Sequence, residues 1–165
     1  MNNKENRKLE YFNDLLYRLE EMLYHELSMC AHPKSELVGS DFLASGKIEG
    51  ASLEQLLGNC ITEIKETGLV DDIDYSLHAS GTCLKLSVGN CIHVQKEARL
   101  KSEGIEPYCC PIANMILDRI LGVLHYLTTY TAEIKVDEDK RRCVIKCAVF
   151  DSIDKIGQVS DWTRF

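Results

Sequence analysis

Leu9, Phe12, Leu16, Leu19, Leu23 and Leu27 recur at spacings of three and four, with Glu, Arg and Asn between them. That period places them on one side of a helix, so the pattern predicts a long amphipathic helix from Lys4 to about Ser28. The stretch "CAHPKSELVGSDFLASGKIEGAS" follows, broken by Pro33 and several Gly and Ser residues. It reads as a connecting segment with one helical turn around Leu37. Ser52 and Gln55 then have the spacing of a capping box, and Leu53, Leu56, Leu57, Cys60, Ile61 and Ile64 form a second helical face that ends before Gly68. Cys60, set among core positions, is expected to be a packing residue.

Past Gly68 the period changes to two. Ile73, Tyr75, Leu77 and Ala79 alternate with Asp72, Asp74, Ser76 and His78, and Ser80-Gly81 mark a turn before Leu84, Leu86 and Val88 take one face of a second strand. After Pro111, suited to a first helical position because its missing N–H would be unpaired there anyway, Ile112, Met115, Ile116, Ile120, Val123, Leu124 and Leu127 mark another buried helical face. Met115 fits core filling better than ligation. The strands "TYTAEIKV" and "RRCVIKCAVF", joined by "DEDK", predict a final hairpin, and the tail "DSIDKIGQVSDWTRF" has no clear period. The order helix, helix, hairpin, helix, hairpin predicts a single α+β domain over residues 1–165, with an antiparallel sheet packed against helices.

Composition narrows the choice of partners. Nineteen basic and twenty-six acidic side chains give a net charge of −7, with no basic stripe, which argues against nucleic acid. No apolar run reaches the roughly 20 residues of a membrane span, and "MNNKENRKLEYF" lacks an apolar signal core, so a soluble cytoplasmic protein is expected. In that compartment the eight cysteines are read as buried hydrophobes, ligands or nucleophiles rather than disulfides.

Chemistry concentrates in "NCIHVQKEARLKSEGIEPYCCPI". If the second strand runs on through Asn90, its period of two carries Cys91 and His93 onto the face opposite Leu84, Leu86 and Val88. Cys109 and Cys110 stand at a helix start, where unpaired amides favour a thiolate, and Cys143 and Cys147 share one face of the last strand with Ile145 and Val149. Cys91, His93, one of Cys109/Cys110 and Cys143 or Cys147 supply the four nitrogen and sulfur ligands of a zinc site from three separate elements. No C-x-x-C pair is present, so inert buried cysteines and a redox or nucleophilic thiol stay open beside the metal. The remaining histidines, His25, His32, His78 and His125, fit surface or hydrogen-bonded roles. P-loop, G-x-G-x-x-G, H-E-x-x-H and G-x-S-x-G signatures are absent.

The element order, the "CP" opening a helix in "YCCPIANMILDRI", and the cysteine-bearing closing strand in "RRCVIKCAVF" together resemble the 4-vinyl reductase domain family over roughly residues 37–151. The chain looks most like stand-alone archaeal members, since no DNA-binding module accompanies it. The resemblance implies the fold of TRAPP subunits, an apolar pocket for a small hydrocarbon-like ligand, a homodimer, and a metal or ligand role for Cys110 and Cys143. The family pattern has glycine and aspartate before its closing cysteine, where this chain has "DEDKRRC".

The leading expectation is therefore a small-molecule-binding or sensing module with a zinc site around Cys91, His93, Cys110 and Cys143. A thiol-dependent enzyme using Cys109 or Cys110 with His93 as base is one alternative. A structural dimerisation or assembly module is the other.

Overall fold

In the computed structural model, residues 3–44 and 46–156 are described. Helix α1 (Asn3–Leu27) leads through a 3-10 turn into the short α2 (Ala31–Ser35), followed by α3 (Leu53–Glu66). The hairpin β1 (Asp72–His78) and β2 (Cys83–Gly89) comes next, then α4 (Val94–Ser102), α5 (Pro111–Leu124), the hairpin β3 (Thr128–Asp137) and β4 (Arg142–Phe150), and a last turn α6 (Ile153–Ile156). The four strands form one antiparallel sheet in the order β1-β2-β4-β3, so the fold is α+β with helices packed on a sheet, as the periodicities predict. Residues 157–165 of the aperiodic tail lie outside the described residues.

Local chemistry accounts for most of these boundaries. The Ser52 side chain accepts from the Gln55 N–H, and the Gln55 carboxamide accepts from the Ala51 N–H, which closes the start of α3. Pro111 occupies the first turn of α5, and His125 ends that helix in the left-handed region at φ 55°. Cross-strand register puts Ile73, Tyr75 and Leu77 beside Val88, Leu86 and Leu84, which in turn face Cys143, Ile145 and Cys147 of β4. One sheet face therefore carries the apolar set. Against it α3 and α5 bring Leu56, Leu57, Cys60, Ile64, Ile112, Ile116 and Ile120, all without exposed surface. Each such aliphatic side chain contributes about 1.5–3 kcal/mol. Met115 is buried among them, as expected.

One expectation fails in part, and the expected element order lacks one helix, α4, both because polar groups point inward. The Leu9–Leu27 row is only partly the packed face of α1: Leu9, Leu16 and Leu23 are half-buried, but Phe12 and Leu19 are more than 40% exposed, while Asn13, Tyr17 and Glu20 are the residues turned fully inward. A hydrogen bond from Asn13 to the Ile92 carbonyl, the Lys96–Glu20 ion pair and a hydrogen bond from the Tyr108 hydroxyl to the Glu20 carbonyl hold that inward face, and an apolar count cannot register them. Helix α4 is the second case. Its buried positions are Val94, Lys96, Glu97 and Leu100, so two charges occupy the place where a period would show leucines.

Candidate functional site: cysteines and buried charges at two helix starts

Strand β2 ends at Gly89, and Asn90 turns the chain with φ 47°. Its N–H donates to the Arg141 carbonyl at 2.8 Å and its carboxamide donates to Asp71 at 2.6 Å. The extended run through Asn90 thus stops short, and Cys91 and His93 do not share a strand face. They form the entry to α4 instead. His93 is the residue before its first turn, and the Cys91 Sγ accepts the His93 N–H at 3.4 Å. Cys110 holds the matching place at α5, where its Sγ accepts the Ala113 N–H at 3.5 Å. One backbone N–H at the entry to each helix therefore points at a sulfur, that of His93 just before α4 and that of Ala113 within the first turn of α5.

These sulfurs are neighbours. Burial pushes the Cys110 thiol well up, and the closeness of Cys91, Glu97 and Cys143 adds to the effect. Burial likewise pushes Cys91 to about 11 and Cys143 to about 12, with the nearby Glu97 among the causes in both. The Ala113 N–H at the start of α5 pulls the Cys110 value down, but desolvation of a thiolate in an apolar core outweighs it. Burial therefore favours the protonated thiol at all three positions.

Beside the sulfurs lies a buried ion triad that apolar patterning does not reveal. Lys96 Nζ meets Glu20 Oε1 at 2.6 Å and Glu97 Oε1 at 2.7 Å, and donates to the Cys109 carbonyl at 3.1 Å. All three ammonium protons are used. Burial acts against the charge on Lys96, but Glu97 and Glu20 outweigh it and hold the lysine protonated. Two carboxylates compete for one cation, and burial raises Glu97 to about 7. Glu97 Oε2 is buried without a hydrogen-bond partner. A Lys and two Glu residues within one buried contact would have required knowing that α1 packs on α4.

His93 is positioned by α1. Asn13 donates its amide to the Ile92 carbonyl at 2.8 Å, so its Oδ1 is free to accept, and His93 Nδ1 stands 3.2 Å away. That contact requires the proton on Nδ1 and leaves Nε2 as the lone-pair nitrogen. Burial lowers His93 to about 4, so the ring is neutral near pH 7.

The remaining candidates are set apart. Cys109 turns into a second cluster with Tyr17, Ala31, Leu100, Ile105 and Tyr108, and its thiol donates to the Ser35 carbonyl at 3.7 Å. Cys147 lies four residues along β4 from Cys143, opposite Leu84 and Thr131. Cys91, Cys110 and Cys143 thus form one group, with Glu97 and His93 beside it. Among the described residues, no three His, Cys, Asp or Glu side chains are arranged closely enough to hold a metal ion as they stand. The layer between α3, α5 and the sheet is lined by buried apolar side chains. A groove of about 270 Å3 opens at the surface, lined by Val94, Gln95, Ala98, Glu138 and Arg141. Val94 follows His93 in the chain, and Arg141 lies two residues before Cys143.

Among the described residues no helix is long and apolar enough to cross a membrane. Comparison with protein-family models and with curated proteins gives no match.

Proposed function

We propose that this chain is a small-molecule-binding or sensing module of the 4-vinyl reductase type, built around a zinc site at Cys91, Cys110 and Cys143. The supporting observation is that Cys91 and Cys110 each accept a backbone N–H at a helix start, while Cys143 approaches them from β4. N–H donors pointed at sulfur favour thiolates, and three sulfurs from separate elements suit zinc's preference for tetrahedral sulfur and nitrogen ligands. His93, with its bare Nε2, or Glu97, with its unpartnered Oε2, supplies a fourth donor. Zinc, when bound, provides the charge that makes buried thiolates favourable, and its uptake releases their protons. The side chains must turn toward one centre for this.

The groove beside α4 is the entry for a small ligand, close to the low end of the size range of small-molecule sites. The enzyme reading has less support, because burial keeps the thiols protonated.

Metal analysis of the purified chain tests the proposal. One zinc per chain is expected, lost in Cys110→Ser and retained in Cys109→Ser and Cys147→Ser. Serine keeps the helix cap at position 110, so the loss reads on metal rather than on folding. Protein that takes up no zinc after reduction, and whose urea midpoint ignores chelator, would end the reading.

A further inference from the structure

On the side of α1 turned away from the domain, Phe12, Leu15, Leu19 and Met22 are 62%, 45%, 45% and 54% exposed. Their spacing of three, four and three makes one straight stripe, and at 100° per residue it lies roughly opposite Asn13, Tyr17 and Glu20. Exposed Lys8 and Glu26 stand at its two ends, on the same line. Nothing within the described chain covers this stripe.

The order Lys8, Phe12, Leu15, Leu19, Met22, Glu26 is nearly its own mirror image with the charges reversed. We infer that α1 pairs with α1 of a second copy, antiparallel, about a two-fold axis near Tyr17. In that register Phe12 meets Met22 and Leu15 meets Leu19, each twice, in the layers of an antiparallel helix pair. Lys8 then meets Glu26 of the second copy at both ends, whereas a parallel pairing would oppose like charges there. Arg18 falls close to its own copy at the axis, and Glu21 of the same helix already neutralises it at 2.8 Å. The apolar stripe from Phe12 to Met22 spans only about three helical turns per copy and buries less than the roughly 1,600 Å2 of a standard interface, so the expected Kd is on the order of tens of micromolar. The pairing uses neither the cysteines nor the groove and stands independently of the zinc site.

Sedimentation equilibrium of the full chain from 5 to 500 μM tests it. The wild type is expected to shift from monomer to dimer across that range. Leu15→Asp with Leu19→Asp is expected to raise Kd more than tenfold while the melting temperature of the monomer holds, because both residues are exposed. Lys8→Glu and Glu26→Lys should each weaken self-association several-fold, and an equimolar mixture of these two variants should regain it. Four results overturn the inference: a wild-type monomer at 500 μM, a dimer indifferent to the Asp pair, a mixture no better than either variant alone, or a dimer broken only by Leu37→Asp, at an exposed leucine outside α1.

Discussion

Between α3, α5 and the sheet the interior consists of aliphatic side chains and cysteines, whereas under α1 the most buried groups include Lys96, Glu20 and Glu97. The first region is held by area removed from water, which is non-directional and tolerant of small shifts. The second is held by contacts of 2.6 and 2.7 Å between ions that each cost several kcal/mol to desolvate. One region makes the fold stable; the other makes the docking of α1 on α4 specific. The candidate site lies at their boundary, since Cys91 and Cys110 belong to the apolar cluster while Glu97 belongs to the triad.

Breaking the ionic side is expected to have the largest effect. Lys96→Met leaves two buried carboxylates without their cation and should cost about 3–5 kcal/mol, measured as a shift in urea midpoint at pH 7.5. Replacing Glu20 and Glu97 by leucine in the same chain should recover most of that loss, because the desolvation penalty then disappears from both signs. A loss below about 1 kcal/mol for the single change would mean that the triad is not closed.

On the apolar side, Ile116→Ala removes a side chain with no exposed surface and should cost about 3 kcal/mol through lost burial and the cavity left behind. Native-state hydrogen exchange sharpens the contrast. Lys96→Met should loosen amides of α1 and α4 first, whereas Ile116→Ala should lower protection across α3, α5 and the sheet together.

The smallest effect is a pH dependence with two opposed slopes. His93 binds its proton more weakly folded than unfolded, so its contribution is complete above about pH 6.5 and is lost as pH falls toward about 4. Glu97 runs the other way: its raised value favours the fold below the ordinary carboxylate range, and that gain is lost as pH rises toward about 7. Relative to His93→Gln, the wild type should lose on the order of 2 kcal/mol between pH 6.5 and 4. A constant difference between the two across that range would show that His93 titrates as a solvated ring.

Patterning reached most of the fold because the helices and strands of the apolar region obey one period each. Leu53–Ile64 and Ile112–Ile120 repeat every three to four residues, and Leu84–Val88 and Cys143–Val149 every two. At the site, the pattern marks a cysteine at the start of α5 and one on the closing strand without saying which of Cys109/Cys110 or Cys143/Cys147; Cys110 and Cys143 are the two that lie near each other. The link from Cys91 to His93 was not legible, since a strand period was carried across Asn90, whose positive φ turns the chain. Nor could patterning divide Cys109 from Cys110: adjacent residues at a helix cap point to opposite sides, and only packing says which cluster each one joins.

By itself, then, the sequence determined the α+β class, both hairpins, the caps of α3 and α5, and the burial of Cys60 and Met115, because these depend on local period and local hydrogen bonds. The tertiary structure alone decided which side of α1 is covered, that α4 is a helix with two charges inside, and that Lys96 is shared by two carboxylates. Each of these depends on partners that arrive from more than seventy residues away for the α1–α4 contacts, as Lys96 and Glu20 do. Buried polar groups are placed by what they meet, and a linear pattern of apolar residues does not contain their partners.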